Sequence, residues 1–377
     1  MQYHFTDEQL QIREVISAFL TDHYDHEART RIVTSPERWS PEIWRAFAED
    51  LGILGLGLPD AVGGLGGGAI DHMLVMDAFG AALVVEPYLE SCVLAAGVLA
   101  RSESPLASSL LEGIVLGEVR FAFADLEPGA RASPSQPQTL ARRTEAGWSL
   151  SGGKVLVVGV PGATHILVSA SMDGAGDIGL FIVEANHPGL KVTSGLTIDG
   201  RTSSMIEFEG LALAADFKVG DGEDRAEALD RANAALCAEA VGIMRRLLSD
   251  TLAYLEQRKQ FGTFLVDFQV LQHRLADMRT EYEHAQALAF FAAGMCEAQV
   301  GKRCAAISAA KARVSIALRK LAQEAVQMHG AMGMTDELQI GHLFKRATVI
   351  ENQFGSVDQH MNRVIRAGGD TTGLAFG

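Results

Sequence analysis

Five stretches in the second half of the chain, at about 226–257, 266–299, 302–330, 336–350 and 356–367, are rich in alanine and nearly free of helix breakers. Apolar residues recur in them every three or four positions, and the longer ones run to about thirty residues, so they predict long helices that bury their apolar faces on one another. A helical bundle from about 225 to 377 is the consequence.

The region from about 119 to 224 has a different texture: short runs such as FAFADL, HILVSAS, IGLFIVE and SSMIEFEGLAL, separated by Gly, Pro, Asp and Asn. These read as strands and turns. Trp148, Leu150, Val155 and Val157 form two runs joined by SGGK, which predicts a hairpin in a small β barrel or sandwich. Residues 1 to about 118 read as helices. Thr6 and Gln9 have the spacing of a capping box ahead of Leu10, Ile12, Val15, Ile16, Phe19 and Leu20. Further on, SPEIWRAFAEDLG stops at Gly52, DHMLVMDAFGAALVVE is halted by Pro87, and another helix runs from about Glu90 to Leu99. The expected organisation is multidomain α+β: an N-terminal helical domain (1–118), a middle β domain (119–224) and a C-terminal helical bundle (225–377).

A net charge of -15 and a pI near 5.2 argue against sequence-independent nucleic-acid binding, which needs clustered Lys and Arg. Cys92, Cys237, Cys296 and Cys304 form no CxxC pair and sit among apolar neighbours, as buried thiols of a reducing compartment do. The N-terminus does not read as a signal peptide, and no apolar run reaches the length of a membrane span, so a cytoplasmic location is expected. The glycines of GLGLPDAVGGLGGG include Pro59 and lack a βαβ context, so they predict a surface loop between helices and not a phosphate turn. His23 and His26 lack the companions of a zinc site, and no metal is expected.

Two C-terminal segments carry chemistry. In YLEQRKQFGTFLVDFQVLQHRLADM, Arg258 and Lys259 precede an aromatic and a glycine at a helix break, where charge can face a phosphate while Phe261 covers an apolar ring. In QMHGAMGMTDELQIGHLFKRA, Gln327 and the backbone around Gly330 offer amide groups, and Gly330 lets a ligand approach closely. The bland readings are a surface ion pair for Arg258, a core ring for Phe268 and a helix cap at His329–Gly330.

The RKQFG turn with its following FQ and HRLADM, the QxHGxxGMT segment, the expected WSLSGGK hairpin and the LPDAVGGLG loop together resemble the acyl-CoA dehydrogenase family across nearly the whole chain. The resemblance implies FAD as cofactor, an acyl-CoA thioester as substrate, abstraction of the α proton by a carboxylate, and hydride transfer from the β carbon to flavin. It places Arg258, Gln260, Phe261, Phe268, Gln269 and Leu271, with Gln327, His329, Gly330, Ala331 and Gln359, on an FAD held by a neighbouring subunit. It places Phe123, Asp125, Leu126, Leu156 and Val158 near the isoalloxazine. There the chain departs from the family's TEPGxGSD and WIT segments: Leu126 replaces Thr, ARAS replaces the GSD portion, and Leu156 and Val158 replace Trp and Thr. Hydroxyl donors to flavin are lost, though backbone N–H groups remain.

In register with the family, Gly355 falls on the usual catalytic Glu and Ala232 on the alternative position in the long helix. Glu239 lies seven residues beyond Ala232, two helical turns on, in apolar surroundings that favour a basic carboxylate. Glu239 is one candidate base and Asp358 another; alternatively Glu239 is a structural acid paired with an Arg, Asp358 caps the last helix, and a partner chain supplies the base. The resemblance thus leaves three functions open. One is an FAD-dependent acyl-CoA dehydrogenase, alone or as one of two unlike subunits in a tetramer, passing electrons to an electron-transfer flavoprotein. The second is a non-catalytic subunit that completes a partner's flavin site, and the third a flavin oxidase or monooxygenase on the same fold.

Overall fold

The computed structural model describes residues 5–130, 136–173 and 176–367. Helix α1 (Asp7–His23) begins at the expected capping box: Thr6 Oγ1 accepts from the Gln9 N–H, and Gln9 Oε1 accepts from the Thr6 N–H, both at 3.2 Å. Helix α2 (His26–Thr34) follows, then α3 (Pro41–Glu49), which Ser40 caps and Pro41 starts. Helix α4 (Ala69–Ala82) stops before the Pro87 that the sequence suggests as its end. Leu83 turns left-handed at φ +59, and the buried Arg29 Nε donates to its carbonyl at 3.0 Å, so a tertiary partner takes up the chain before proline does. The helix expected from Glu90 is π-helical over Leu89–Ala95 and continues as α5 (Ala96–Leu99); α6 (Leu106–Val115) completes this region.

Strands β1 (Phe121–Ala124), β2 (Leu140–Thr144), β3 (Gly147–Val158), β4 (His165–Met172), β5 (Ile178–Glu184), β6 (Leu190–Leu196), β7 (Thr202–Ala214) and β8 (Lys218–Asp221) form one eight-stranded sheet. Its order is β6-β7-β3-β2-β4-β5-β8, with β1 parallel to β4. Its core includes Trp148 and Phe181, in edge-to-face contact at 5.3 Å, with Ile166, Ile206 and Phe208. The SGGK hairpin does not form. Ser151–Lys154 lie inside the single strand β3, and the hairpin joins β2 to β3 one turn earlier, with Thr144 opposite Gly147. Gly152 takes φ +139 and passes so close to Thr139 that a Cβ would stand 2.7 Å from its Cα. The glycines therefore serve a bulge and a close approach, not a turn.

The remaining elements are α7 (Gly222–Gln257), the two-residue strands β9 (Lys259–Gln260) and β10 (Thr263–Phe264), α8 (Gln269–Gly294), α9 (Val300–His329), α10 (Gln339–Asn352) and α11 (Val357–Ala367). By internal contacts the chain divides into two compact units. The first comprises Met1–Arg29, Met73–Val84 and Asn233–Gly377; the second comprises Thr30–His72 and Val85–Ala232. In the first unit α4 meets α7 backbone to backbone. A Cβ on Gly80 would lie 2.0 Å from the Glu239 carbonyl oxygen, and one on Gly242 would lie 1.9 Å from that of Asp77. No helix among the described residues is long and apolar enough to cross a membrane.

Candidate functional site

Within the first unit, the C-terminal ends of α7 and α9 come together. Tyr254 stacks on His329 with ring centroids 4.4 Å apart and planes 24° from parallel. His329 is buried, and its Nδ1 lies 2.8 Å from the Ala325 carbonyl oxygen, while Gly330 ends α9 with φ +62. One turn beyond Tyr254, the Arg258 N–H closes α7 on the Tyr254 carbonyl at 2.9 Å. The stack therefore brings the Arg258 segment and the Gln327–Ala331 segment, some seventy residues apart in sequence, to one end of the bundle. In the sequence, the only signal for Tyr254 is its position one turn before Arg258.

That end is unusually open. The β9–β10 hairpin presents Phe261 at its tip, 94% exposed and held at φ +55, a conformation that is costly for a bulky residue. Arg258, Gln260, Gln269, Gln327, Gly330 and Ala331 are exposed as well, whereas Phe268 and Leu271 are half-buried. Arg258 has no ion pair among the described residues, and Phe268 is not a core ring. Phe268 instead lies edge-on to Phe261, with centroids 6.3 Å apart. An exposed guanidinium, three glutamine amides, a bare glycine backbone and an unburied aromatic suit a ligand with phosphate and a flat ring.

Glu239 has a different setting. It is 2% exposed, and its two carboxylate oxygens accept from Arg346 Nε at 2.6 Å and Nη2 at 2.8 Å. Such a fork favours the ionised carboxylate and occupies both oxygens. Lys311 lies nearby, fully buried, its Nζ donating to the Ile350 carbonyl at 2.8 Å; burial brings its pKa down to about 8, against the opposing influence of Cys237 and the carboxylates of Glu351 and Glu239. The turn after α10 holds Gly355, buried and at φ +129. Asp358 is exposed in the first turn of α11, but it is not the cap. Ser356 Oγ accepts from the Gln359 N–H at 3.4 Å, and Gln359 Oε1 accepts from the Ser356 N–H at 2.8 Å, a capping box that also occupies the Gln359 side chain.

In the second unit, β1 leads into the turn that carries Asp125 and Leu126. Asp125 points inward: its Oδ1 accepts from Arg225 Nε and Ser169 Oγ, both at 2.6 Å, and its Oδ2 from Arg225 Nη2 at 2.9 Å. Lys154, 1% exposed, donates to Glu127 Oε1 at 2.8 Å and to the Asp125 carbonyl at 3.3 Å. Burial acts to raise the Glu127 pKa, but hydrogen bonds from Lys154, Gln138 and Thr139, with the Lys154 charge, hold it below the usual value. This network fixes the turn from behind, and the Leu126 carbonyl accepts from the Val155 N–H at 2.8 Å, setting Leu126 beside β3. Leu156 protrudes there, 63% exposed at φ +53. Val158 borders a small surface pocket with Pro87, Glu90 and Arg201, and Phe123 is buried. No side-chain hydroxyl stands at Leu126, Leu156 or Val158; the ARAS stretch lies largely outside the described residues. Among the described residues no cluster of His, Cys, Asp and Glu could hold a metal ion.

Three family models match in succession: the acyl-CoA dehydrogenase N-terminal domain at 6–102, the middle domain at 122–211 and the C-terminal domain at 222–369. Acyl-CoA dehydrogenase FadE27 of Mycobacterium tuberculosis is 30% identical over 339 residues, 88% of either chain. Caffeyl-CoA reductase-Etf complex subunit CarC of Acetobacterium woodii is 26% identical over 92% of this chain and 94% of its own. Among solved structures, the ChsE4-ChsE5 complex from Mycobacterium tuberculosis superposes with a TM-score of 0.90 at 26% identity, covering 98% of this chain and 99% of that one. The chain belongs to the acyl-CoA dehydrogenase family, oxidoreductases that act on CH–CH bonds.

Proposed function

We propose that this chain is one subunit of an acyl-CoA dehydrogenase built from two unlike chains, in which its bundle end completes an FAD site held mainly by the partner. The carrying observation is the Tyr254–His329 stack, which joins the two motif segments at an open bundle end with Phe261 94% exposed. FAD, when bound, supplies the hydride acceptor for the acyl β carbon. Arg258 pairs with its pyrophosphate, Phe261 covers a flat ring, and Gln327 with the backbone at Gly330 and Ala331 lines the dinucleotide. Gln260, Phe268, Gln269 and Leu271 support that contact from the hairpin and the start of α8, and Gln359 stays with its helix cap.

The second unit supports the division of labour. Asp125 is committed to Arg225, and Leu126, Leu156 and Val158 offer flavin no hydroxyl, so this chain's own isoalloxazine cradle is poor while its dinucleotide grip is intact. The proton acceptor follows the same logic. Glu239 serves as the anchor of Arg346, Asp358 remains a solvent-facing first-turn acid, and the base comes from the partner chain. The likeness to the ChsE4-ChsE5 complex supports a mixed assembly for this chain, proposed here as a tetramer. A cytoplasmic enzyme of this kind passes its electrons to an electron-transfer flavoprotein. Arg258→Ala tests the grip: flavin retention by the co-purified complex is expected to weaken by up to about 3 kcal/mol, the range of a charge-assisted hydrogen bond. Unchanged flavin content on dilution would remove Arg258 from the site.

A further inference from the structure

The turn between α10 and α11 contains more than a missing carboxylate. A Cβ built on Gly355 would lie 2.8 Å from His360 Nε2, with Cδ2 and Cε1 of the same ring at 3.3 and 3.4 Å. The imidazole tip thus points into the space that any side chain at 355 would enter. The ring is enclosed. His360 is 1% exposed, and its backbone N–H is fixed to the Ser356 carbonyl at 3.0 Å.

Among the described residues neither ring nitrogen has a hydrogen-bond partner, a costly arrangement for a buried imidazole. The missing Cβ at 355 gives the ring tip its space. Burial first, then the charges of Lys311 on α9 and Arg363 on α11, bring the His360 pKa down to about 3, so the ring packs as a neutral body. Lys311, through the Ile350 carbonyl, ties down the last turn of α10, and Phe354 at φ +57 with Gly355 at φ +129 bends the chain tightly over the ring.

We propose that His360 is a positioning residue that keeps position 355 free of a side chain, so that Gly355 and His360 form one device that bars a carboxylate from this turn. The inference deepens the reading that this chain contributes no base from the turn, since a side chain restored at 355 alone must displace the His360 ring tip. Left-handed backbone strain at 355 is the same whatever occupies 360, whereas the collision exists only with a ring there.

A double-mutant cycle on the full chain separates the two. Gly355→Ala is measured by urea denaturation in the parent, in His360→Ala and in His360→Phe. The expected result is a drop in the urea midpoint of about 1 M in the parent and in the His360→Phe chain, and a clearly smaller drop in the His360→Ala chain. An equal drop in all three would overturn the proposal, as would failure of Gly355→Ala to fold in both the parent and the His360→Ala chain. Flavin content, recorded on the same preparations, reports separately on the subunit role: one flavin per chain in the parent alone defeats that reading without touching the cycle.

Discussion

Glu239 illustrates how a residue's neighbours decide its role. Spacing and apolar context make it a candidate base, yet Arg346 takes both of its oxygens. Glu239→Gln is therefore expected to destabilise the fold by about 3–5 kcal/mol, the effect of stranding a buried guanidinium, without changing turnover per folded complex. Thermal denaturation and dye-linked assays of the complex check both halves; lost turnover with undiminished stability would restore Glu239 as the base. Two imidazoles set a pH response. His72 is brought to about 4 by burial, opposed by Asp71 and aided by Arg231, and His360 to about 3. Both are neutral in the fold, while an unfolded imidazole titrates near ~6.5. Above that value their contribution is fully present; as pH falls from about 6.5 toward 4 the unfolded chain binds protons the fold refuses, and stability declines. Melting temperature against pH should slope down across that window, and the slope should become shallower when either histidine is replaced by glutamine and shallower still when both are. A flat parent profile would contradict the assignment.

At the scale of elements, the contact of α4 with α7 depends on two glycines whose missing side chains let the backbones touch. Gly80→Ala or Gly242→Ala is expected to cost about 3 kcal/mol or to abolish folding, because the opposing atom is a carbonyl that cannot rotate away. Near-parental urea midpoints would refute the close approach. The elements differ in how readily the sequence discloses them. The long helices α7 to α11 are legible from alanine-rich periodicity, and the α1 cap from Thr6 and Gln9, because both signals are local. The SGGK segment misleads because Gly152 answers to Thr139 across the sheet, a partner the local pattern does not contain. The π-helical turn at Leu89–Ala95 and the early end of α4 at Leu83 are likewise set by tertiary contacts. At the site, the motif segments are legible singly, but their meeting through Tyr254 and His329 is a property of the folded bundle, as are the inward turn of Asp125 and the ring of His360 behind Gly355.

For the whole molecule, the proposed subunit role joins a dinucleotide grip on one unit with a hydroxyl-poor flavin cradle on the other, to be completed by a partner. Under that proposal Phe261, 94% exposed, covers the flavin dinucleotide, and Phe261→Ala should weaken flavin retention while leaving the isolated chain as stable as before. Unaltered flavin retention would remove the ring from the contact. The central claim is tested most directly by counting flavin per chain, in the isolated chain and in the complex co-purified with its partner. The account predicts a colourless isolated chain and one FAD for every two chains in the complex; one FAD per chain in the isolated protein would contradict it.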